Sequence, residues 1–187
     1  MANQMTDQLT IITERLLIEP WNPGDAAAGL TIFGDPEVTR WLTPAMEPVV
    51  DEAAMLDTLD RWVREEAEAV PPVGHWAVRR GEDEALLGSI TLRRMPPYDE
   101  DLELAWQFSP SHWGQGYATE AARGVAAWAF ERSAHELFAV MRPANARAEK
   151  LTRRLGMQWV GETDKYYGLR LQVFRLRPPD LDISGRW

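Results

Sequence analysis

Cysteine is absent from this chain of 187 residues, and histidine is scarce. The lack of thiols excludes disulfides, thiolate metal sites and a cysteine nucleophile. The three histidines, His75, His112 and His135, stand far apart without the spacing of metal ligands, so we expect no metal site. No apolar run approaches the roughly 20 residues that span a bilayer, and residues 1–10 do not resemble a signal peptide. We therefore expect a soluble, cytoplasmic protein with no membrane partner.

Positive charge is also in deficit, with 20 Lys and Arg against 29 Asp and Glu and a net charge of −9. This balance argues against a general nucleic-acid binder, whose affinity comes from neutralising phosphates. Hydrophobic residues make up 45 % of the chain, which is enough for one core. Because no repeat or linker divides the chain, we expect a single domain over 11–177, between a flexible tail at 1–10 and a C-terminal tail at 178–187.

The hydrophobic pattern predicts alternating strands and helices. Residues 102–108 alternate apolar and polar side chains, as in a strand, and an alanine-rich helix over 119–131 and a strand over 136–141 follow. Such a unit forms a parallel crossover. The remaining predicted elements are a short strand over 11–21, a short helix over 26–33, a helix over 51–69, a hairpin of 75–80 and 85–94, a helix over 145–155 and a strand pair at 158–160 and 169–177. We therefore predict an α+β fold, in which one mixed, mostly antiparallel sheet of about six to seven strands carries helices on both faces and a central parallel crossover spans 102–141.

A glycine-bearing turn, WGQGYATE, occupies residues 113–120 at the start of the predicted helix. Uncovered backbone N–H groups at a helix N-terminus favour an anion such as a pyrophosphate. A plainer alternative is that the two glycines only permit a tight strand-to-helix connection. The turn has no Gly-Lys-Ser/Thr of a Walker loop, and Thr119 stands where the dinucleotide fingerprint needs a small residue.

Three blocks together resemble the GNAT acetyltransferase superfamily, and in particular its branch of ribosomal-protein alanine acetyltransferases. They read ITERLLIEPW, LELAWQFSPSHWGQGYATEAARGVAAWAFE and AVMRPANARAEKLTRRLGM, and the likeness runs in order over 11–177. The resemblance implies the GNAT fold and an N-acetyltransferase that takes acetyl-CoA as cosubstrate.

The resemblance also implies which residues bind the coenzyme. The pyrophosphate would be held by the backbone of Trp113, Gly114, Gln115, Gly116, Tyr117, Ala118 and Thr119. Gly116 and Ala118 fill the family's small positions, whereas Trp113 stands where glutamine or arginine is frequent. Asn145 matches the asparagine that contacts the pantetheine region. Five basic residues against one acid between 142 and 154 form a basic island suited to a phosphate, although a solvated helix face would look the same.

Acetyl transfer to an amine needs a general base. Glu103 is our candidate because it lies on the strand before the glycine turn, where the branch places a glutamate, and His112 is the alternative. The family's frequent tyrosine and serine are replaced by Thr152 and Ala148. The general acid therefore stays unassigned, with Tyr166, Tyr167 and solvent open.

The acceptor implied by the resemblance is a primary amine, either a protein N-terminus or a small molecule. Acids are dense over 51–68 and 99–103, so we expect a cationic acceptor to be favoured. The identity of the amine, the length of the acyl group and a homodimer stay open. The alternative function is a non-catalytic sensor or interaction module that binds acyl-CoA.

Overall fold

A computed structural model describes residues 9–42 and 46–182, which form one eight-stranded sheet with helices packed on it. The strands are β1 (Ile11–Ile12), β2 (Leu16–Pro20), β3 (Gly74–Arg80), β4 (Leu86–Arg94), β5 (Leu102–Phe108), β6 (Leu137–Met141), β7 (Gln158–Thr163) and β8 (Leu171–Leu176). The helices are α1 (Ala26–Phe33), α2 (Pro36–Thr39), α3 (Glu52–Glu68), α4 (Tyr117–Glu131) and α5 (Ala146–Leu155). None of the described helices is long and apolar enough to cross a bilayer.

The strand order is β1-β2-β3-β4-β5-β6-β8-β7. Neighbouring strands are antiparallel except β5 and β6, which are parallel and are connected through α4. These features confirm the predicted mixed sheet and its parallel crossover. There is one strand more than the sequence predicts, because Ile11 and Ile12 pair with β2 as a separate edge strand.

The two helices of the C-terminal half cover one face of the sheet. Small buried residues of α4, such as Ala122 and Ala126, lie in the same core cluster as Trp76 and Leu104 from the sheet and Leu155 from α5. Small side chains let the backbone of α4 approach the strands closely. The helix begins at Tyr117, two residues earlier than predicted, because Gly116 takes a left-handed conformation and serves as its N-cap.

The early helices cover the opposite face, so that helices lie on both faces as predicted. Asp51 caps α3 by accepting a hydrogen bond from the Ala54 N–H at 2.8 Å. Trp62 of α3 lies 5.4 Å from the Phe33 ring and 6.0 Å from the Trp21 ring. Aromatic contacts of this kind bury a large apolar area in few residues.

A third and smaller hydrophobic cluster includes Met95, Tyr166, Leu171 and Val173.

Candidate active site

The parallel strands β5 and β6 touch at one point and then separate. Within the described chain, Glu103 and Phe138 are the single registered pair between them. Beyond this pair, residues 104–107 of β5 and 139–142 line a pocket between the two strands. Separated strands leave peptide groups unpaired, and these groups can bind an extended ligand. The pocket is also lined by Trp41, Leu42, Arg93, Glu103, Asn145, Ala148, Tyr167, Leu169 and Leu171.

Glu103 is the buried carboxylate of this pocket, with a relative exposure of 4 %. Arg93 Nε donates to its Oε2 at 2.8 Å, and the Tyr167 hydroxyl donates to the same oxygen at 2.6 Å. No described residue donates a hydrogen bond to the other oxygen, Oε1. This oxygen is not among the atoms that are fully enclosed and lack a partner, so it is open to the pocket. One oxygen therefore holds the carboxylate in position, and the other is left for a proton carried by water or by a substrate.

Tyr167 reaches Glu103 from the turn between β7 and β8. Its φ of 56° is left-handed, which is strained for a bulky side chain, and such strain concentrates at functional sites. Burial first, and then the negative charge of Glu103, raises the pKa of the Tyr167 hydroxyl. The phenol therefore keeps its proton at neutral pH and acts as a hydrogen-bond donor.

The same arrangement occurs two residues earlier on the chain. Asp101 accepts from Lys165 Nζ at 2.8 Å and from the Tyr166 hydroxyl at 2.6 Å. Neither Asp101 nor Tyr166 lines the pocket. Adjacent tyrosines thus hold two carboxylates in similar ways, but only the Glu103 arrangement faces the pocket.

The glycine turn forms an uncapped helix start at the beginning of α4. Gly114 and Gly116 have φ values of 79° and 84°, and both residues are exposed. Gly116 provides no capping side chain, so the first-turn amides of Tyr117, Ala118 and Thr119 stay available to an anion. Apart from its two chain neighbours, no residue of the described chain has an atom within 4 Å of the position of a Cβ on Gly114, which leaves room for a ligand against the backbone. A diphosphate fits this geometry and the helix dipole.

Trp113 joins the turn to α5. Its Nε1 donates to the Phe108 carbonyl at 2.8 Å, and the Arg147 guanidinium lies 3.6 Å from the centre of its ring. This contact is a close cation–π pair. Arg147 from the neighbouring helix therefore brings a positive charge to Trp113, as an arginine at position 113 would.

Asn145 lies at the other side of the pocket, at the start of α5. Its side chain caps the helix by accepting from the Ala148 N–H at 3.2 Å, and it also lines the pocket. In the basic island, Arg142 lines the pocket as well, whereas Arg153 pairs with Glu149 at 2.7 Å. The island is thus divided between the pocket, the turn and the helix surface.

His112 does not line the pocket. It belongs to the short 3-10 turn Pro110–His112, and its Nδ1 lies 3.5 Å from Ser111 Oγ. Of the two candidate bases, Glu103 is the one that the structure brings into the pocket. No group of three or more His, Asp or Glu side chains that could hold a metal occurs in 9–42 and 46–182.

A further titratable pair lies outside the pocket, where α3 ends above β3. Burial raises the pKa of Glu66 to about 7, against an opposing hydrogen bond from the His75 backbone. The His75 ring stacks on Trp62 at 4.9 Å, and burial, followed by the charges of Arg93 and Arg61, lowers its pKa to about 4.

Comparison with known proteins identifies the family of this chain. The family model of the acetyltransferase (GNAT) domain matches residues 15–158. The chain belongs to the GNAT acetyltransferase family. GNAT enzymes use acetyl-CoA and act on amine acceptors.

Relatives of this GNAT chain are distant in sequence. The uncharacterized N-acetyltransferase YoaA of Bacillus subtilis is 24 % identical over 156 residues, which covers 82 % of this chain and 85 % of YoaA. FsC-acetyl coenzyme A-N(2)-transacetylase of Aspergillus fumigatus is 31 % identical over 131 residues, covering 66 % of this chain and 54 % of that protein. Among solved structures, Mycobacterium smegmatis RimJ in complex with CoA-disulfide has a TM-score of 0.74 at 16 % identity and covers 89 % of this chain and 84 % of RimJ. At this identity the likeness shows the GNAT fold alone.

Sequence reasoning missed Arg93 in this GNAT pocket and left Tyr167 without a role. Arg93 could have been found, because it is paired with Glu103 across the antiparallel β4 and β5 and such pairs are favoured with opposite charge. Tyr167 has no local signal, since 64 residues separate it from Glu103.

Proposed function

We propose that this chain transfers an acetyl group from acetyl-CoA to a primary amine by direct transfer, with Glu103 as general base. The observation that carries the proposal is the Glu103 carboxylate, buried in the pocket between β5 and β6 and held through one oxygen only. The chain has no cysteine that could form a thioester intermediate with the protein.

The coenzyme would be held by the turn and by α5. The amides of 113–119 would bind its pyrophosphate, Arg147 would add positive charge beside them, and Asn145 would contact the pantetheine arm. Acetyl-CoA supplies the activated acetyl thioester. The unpaired edges of β5 and β6 offer peptide groups that orient an extended ligand.

The acceptor must lose a proton to become nucleophilic, because amines with pKa values of about 8 to 10.4 are mostly ammonium ions at pH 7. Oε1 of Glu103 takes this proton, directly or through a water. Arg93 and Tyr167 keep Oε2 in place through their two hydrogen bonds. Among the described residues, Tyr167 holds a phenolic proton next to the base, which makes it our candidate proton donor for the thiolate that departs when the amine displaces it from the acetyl carbon. The proton that Glu103 took from the amine then returns to the phenolate.

The pocket lining bears on the acceptor. Trp41, Leu42 and Leu169 bring apolar surface, whereas the acid-rich α3 contributes no lining residue. In the loop after β4, Asp101 is neutralised by Lys165. These observations favour an amine on an apolar or aromatic body, and the preference for a cationic acceptor stays a prediction.

A panel of amines, monitored by thiol release, tests the proposal. It should include aromatic amines, polyamines and peptides with free N-termini, among them the N-terminal sequences of ribosomal proteins that the resemblance suggests. We expect acetyl transfer to at least one class of amine. Rates are measured at low and at physiological salt, because a preference for cationic acceptors weakens as salt screens the charges, whereas a preference for apolar acceptors does not. Binding of CoA without transfer across the panel would contradict the proposal and favour the sensor alternative. That alternative is less favoured, since a binding module has no need of a buried carboxylate in its pocket.

A further inference from the structure

The turn between β1 and β2 reaches across the sheet edge to the helix that begins at the glycine turn. Thr13 Oγ1 donates to Glu120 Oε1 at 2.6 Å, and the Arg15 N–H donates to the same oxygen at 2.8 Å. Gly124 permits this approach, because a Cβ there would lie 2.9 Å from Thr13 Cγ2. The buried carboxylate of Glu120 thus ties the N-terminal hairpin to α4.

The Arg15 side chain completes the connection and extends it to the glycine turn. Its Nε donates to Glu120 Oε2 at 2.7 Å, and its Nη1 donates to the Gln115 carbonyl at 3.1 Å. The guanidinium also lies 4.6 Å from the centre of the Tyr117 ring and 3.4 Å from the position of a Cβ on Gly116. One side chain therefore contacts both Gln115 and Tyr117 of the turn and leaves no free space beside Gly116.

The ion pair of Arg15 and Glu120 also neutralises a negative charge next to the turn. Glu120 lies in the first turn of α4 with a relative exposure of 5 %, close to the amides that would meet a diphosphate. A bare carboxylate there would repel the diphosphate, and the guanidinium of Arg15 compensates it at 2.7 Å. Because the nitrogens of Arg15 are already engaged by Glu120 and the Gln115 carbonyl, we assign it a positioning role rather than contact with the ligand.

We infer that Arg15 and Glu120 form a positioning pair that holds the glycine turn in its diphosphate-binding conformation and neutralises the charge below it. This inference rests on the proposed function, since it concerns the nucleotide half of the coenzyme. It predicts that the pair matters for donors that carry the diphosphate and not for donors without it.

The test compares Arg15→Gln with wild type by calorimetry with CoA and by transfer from two donors, acetyl-CoA and acetyl-pantetheine. We expect CoA affinity to fall by about tenfold, kcat/KM for acetyl-CoA to fall with it, and kcat/KM for acetyl-pantetheine to stay unchanged. In the double variant Arg15→Gln/Glu120→Gln, part of the affinity should return, because the uncompensated carboxylate is gone. Arg79→Gln is the matched control, since the Arg79 guanidinium is likewise held by carboxylates, those of Glu19 and Asp25, but away from the turn.

Unchanged CoA affinity in folded Arg15→Gln, or an equal loss with both donors, would overturn the inference. If Arg15→Gln does not fold, Arg15→Lys is measured instead. Lysine keeps the positive charge but lacks the separate guanidinium nitrogens that donate to Glu120 and to the Gln115 carbonyl. The comparison of acetyl-CoA with acetyl-pantetheine then tests the inference in the same way. Failure of wild type to bind CoA would instead overturn the proposed function, and the inference with it.

Discussion

Glu103 and Asp101 each accept a hydrogen bond from a tyrosine hydroxyl. Neutralising these two carboxylates one at a time separates an effect on the rate of acetyl transfer from an effect on protein stability. Glu103→Gln and Asp101→Asn each replace a carboxylate that accepts from one cation and one tyrosine hydroxyl at the same distances. The two carboxylates lie two residues apart, but only Glu103 lines the pocket. The second variant therefore controls for the loss of charge and of its hydrogen bonds.

The expected magnitudes differ between stability and rate. Each variant weakens hydrogen bonds to a charged group, which costs about 1–3 kcal/mol of unfolding free energy. The cost is larger for Glu103, whose side chain is 5 % exposed against 24 % for Asp101. Loss of a general base lowers the rate by about 10²–10⁴-fold, which corresponds to about 2.7–5.4 kcal/mol in the activation barrier. Only Glu103→Gln should show this second effect.

The assay measures thiol release at saturating acetyl-CoA and amine, with thermal unfolding and CoA affinity recorded for both variants. We expect Glu103→Gln to bind CoA normally and to lose kcat, while Asp101→Asn keeps the wild-type rate. Equal rates in the two variants would refute the assignment of Glu103 as base, and His112→Gln would be the next variant to measure.

Three further predictions follow from the same geometry. Gly116→Val should weaken CoA binding by at least about tenfold, because a side chain is strained at φ 84° and its Cβ would lie 3.4 Å from the Arg15 guanidinium that holds the turn. Gly161→Val, at φ 133° in the edge strand β7, should leave the calorimetric affinity unchanged. Tyr167→Phe should lower kcat by at least about tenfold, because both the hydrogen bond to Glu103 and the candidate proton donor are lost, and Tyr166→Phe should not; equal rates would contradict the role of Tyr167. Glu66, with a pKa of about 7 against 4.5, contributes stability below pH 4.5 that is lost as pH rises through 7. The melting temperature of Glu66→Gln relative to wild type should therefore rise between pH 5 and pH 8, and a constant difference would contradict this linkage.

Local patterns predicted most of the fold. The alternation over 102–108 corresponds to β5, and the hairpin predicted at 75–80 and 85–94 appears as β3 and β4. These predictions succeed because side-chain periodicity is set by the geometry of each element. The single strand predicted over 11–21 is instead two antiparallel strands, β1 and β2. The turn between them could not be predicted, since it is held by hydrogen bonds from Thr13 and Arg15 to the distant Glu120.

By itself, the sequence determined the order of the elements, the conformationally permissive glycines of the turn, and Glu103 as a carboxylate on the strand before it. The tertiary structure decided which charges meet. It brought Tyr167 to Glu103 across 64 residues and Arg15 to Glu120 across 105 residues, and it left His112 outside the pocket. The physical reason is that a propensity acts over a few neighbouring residues, whereas the pairing of buried charges depends on how distant segments pack.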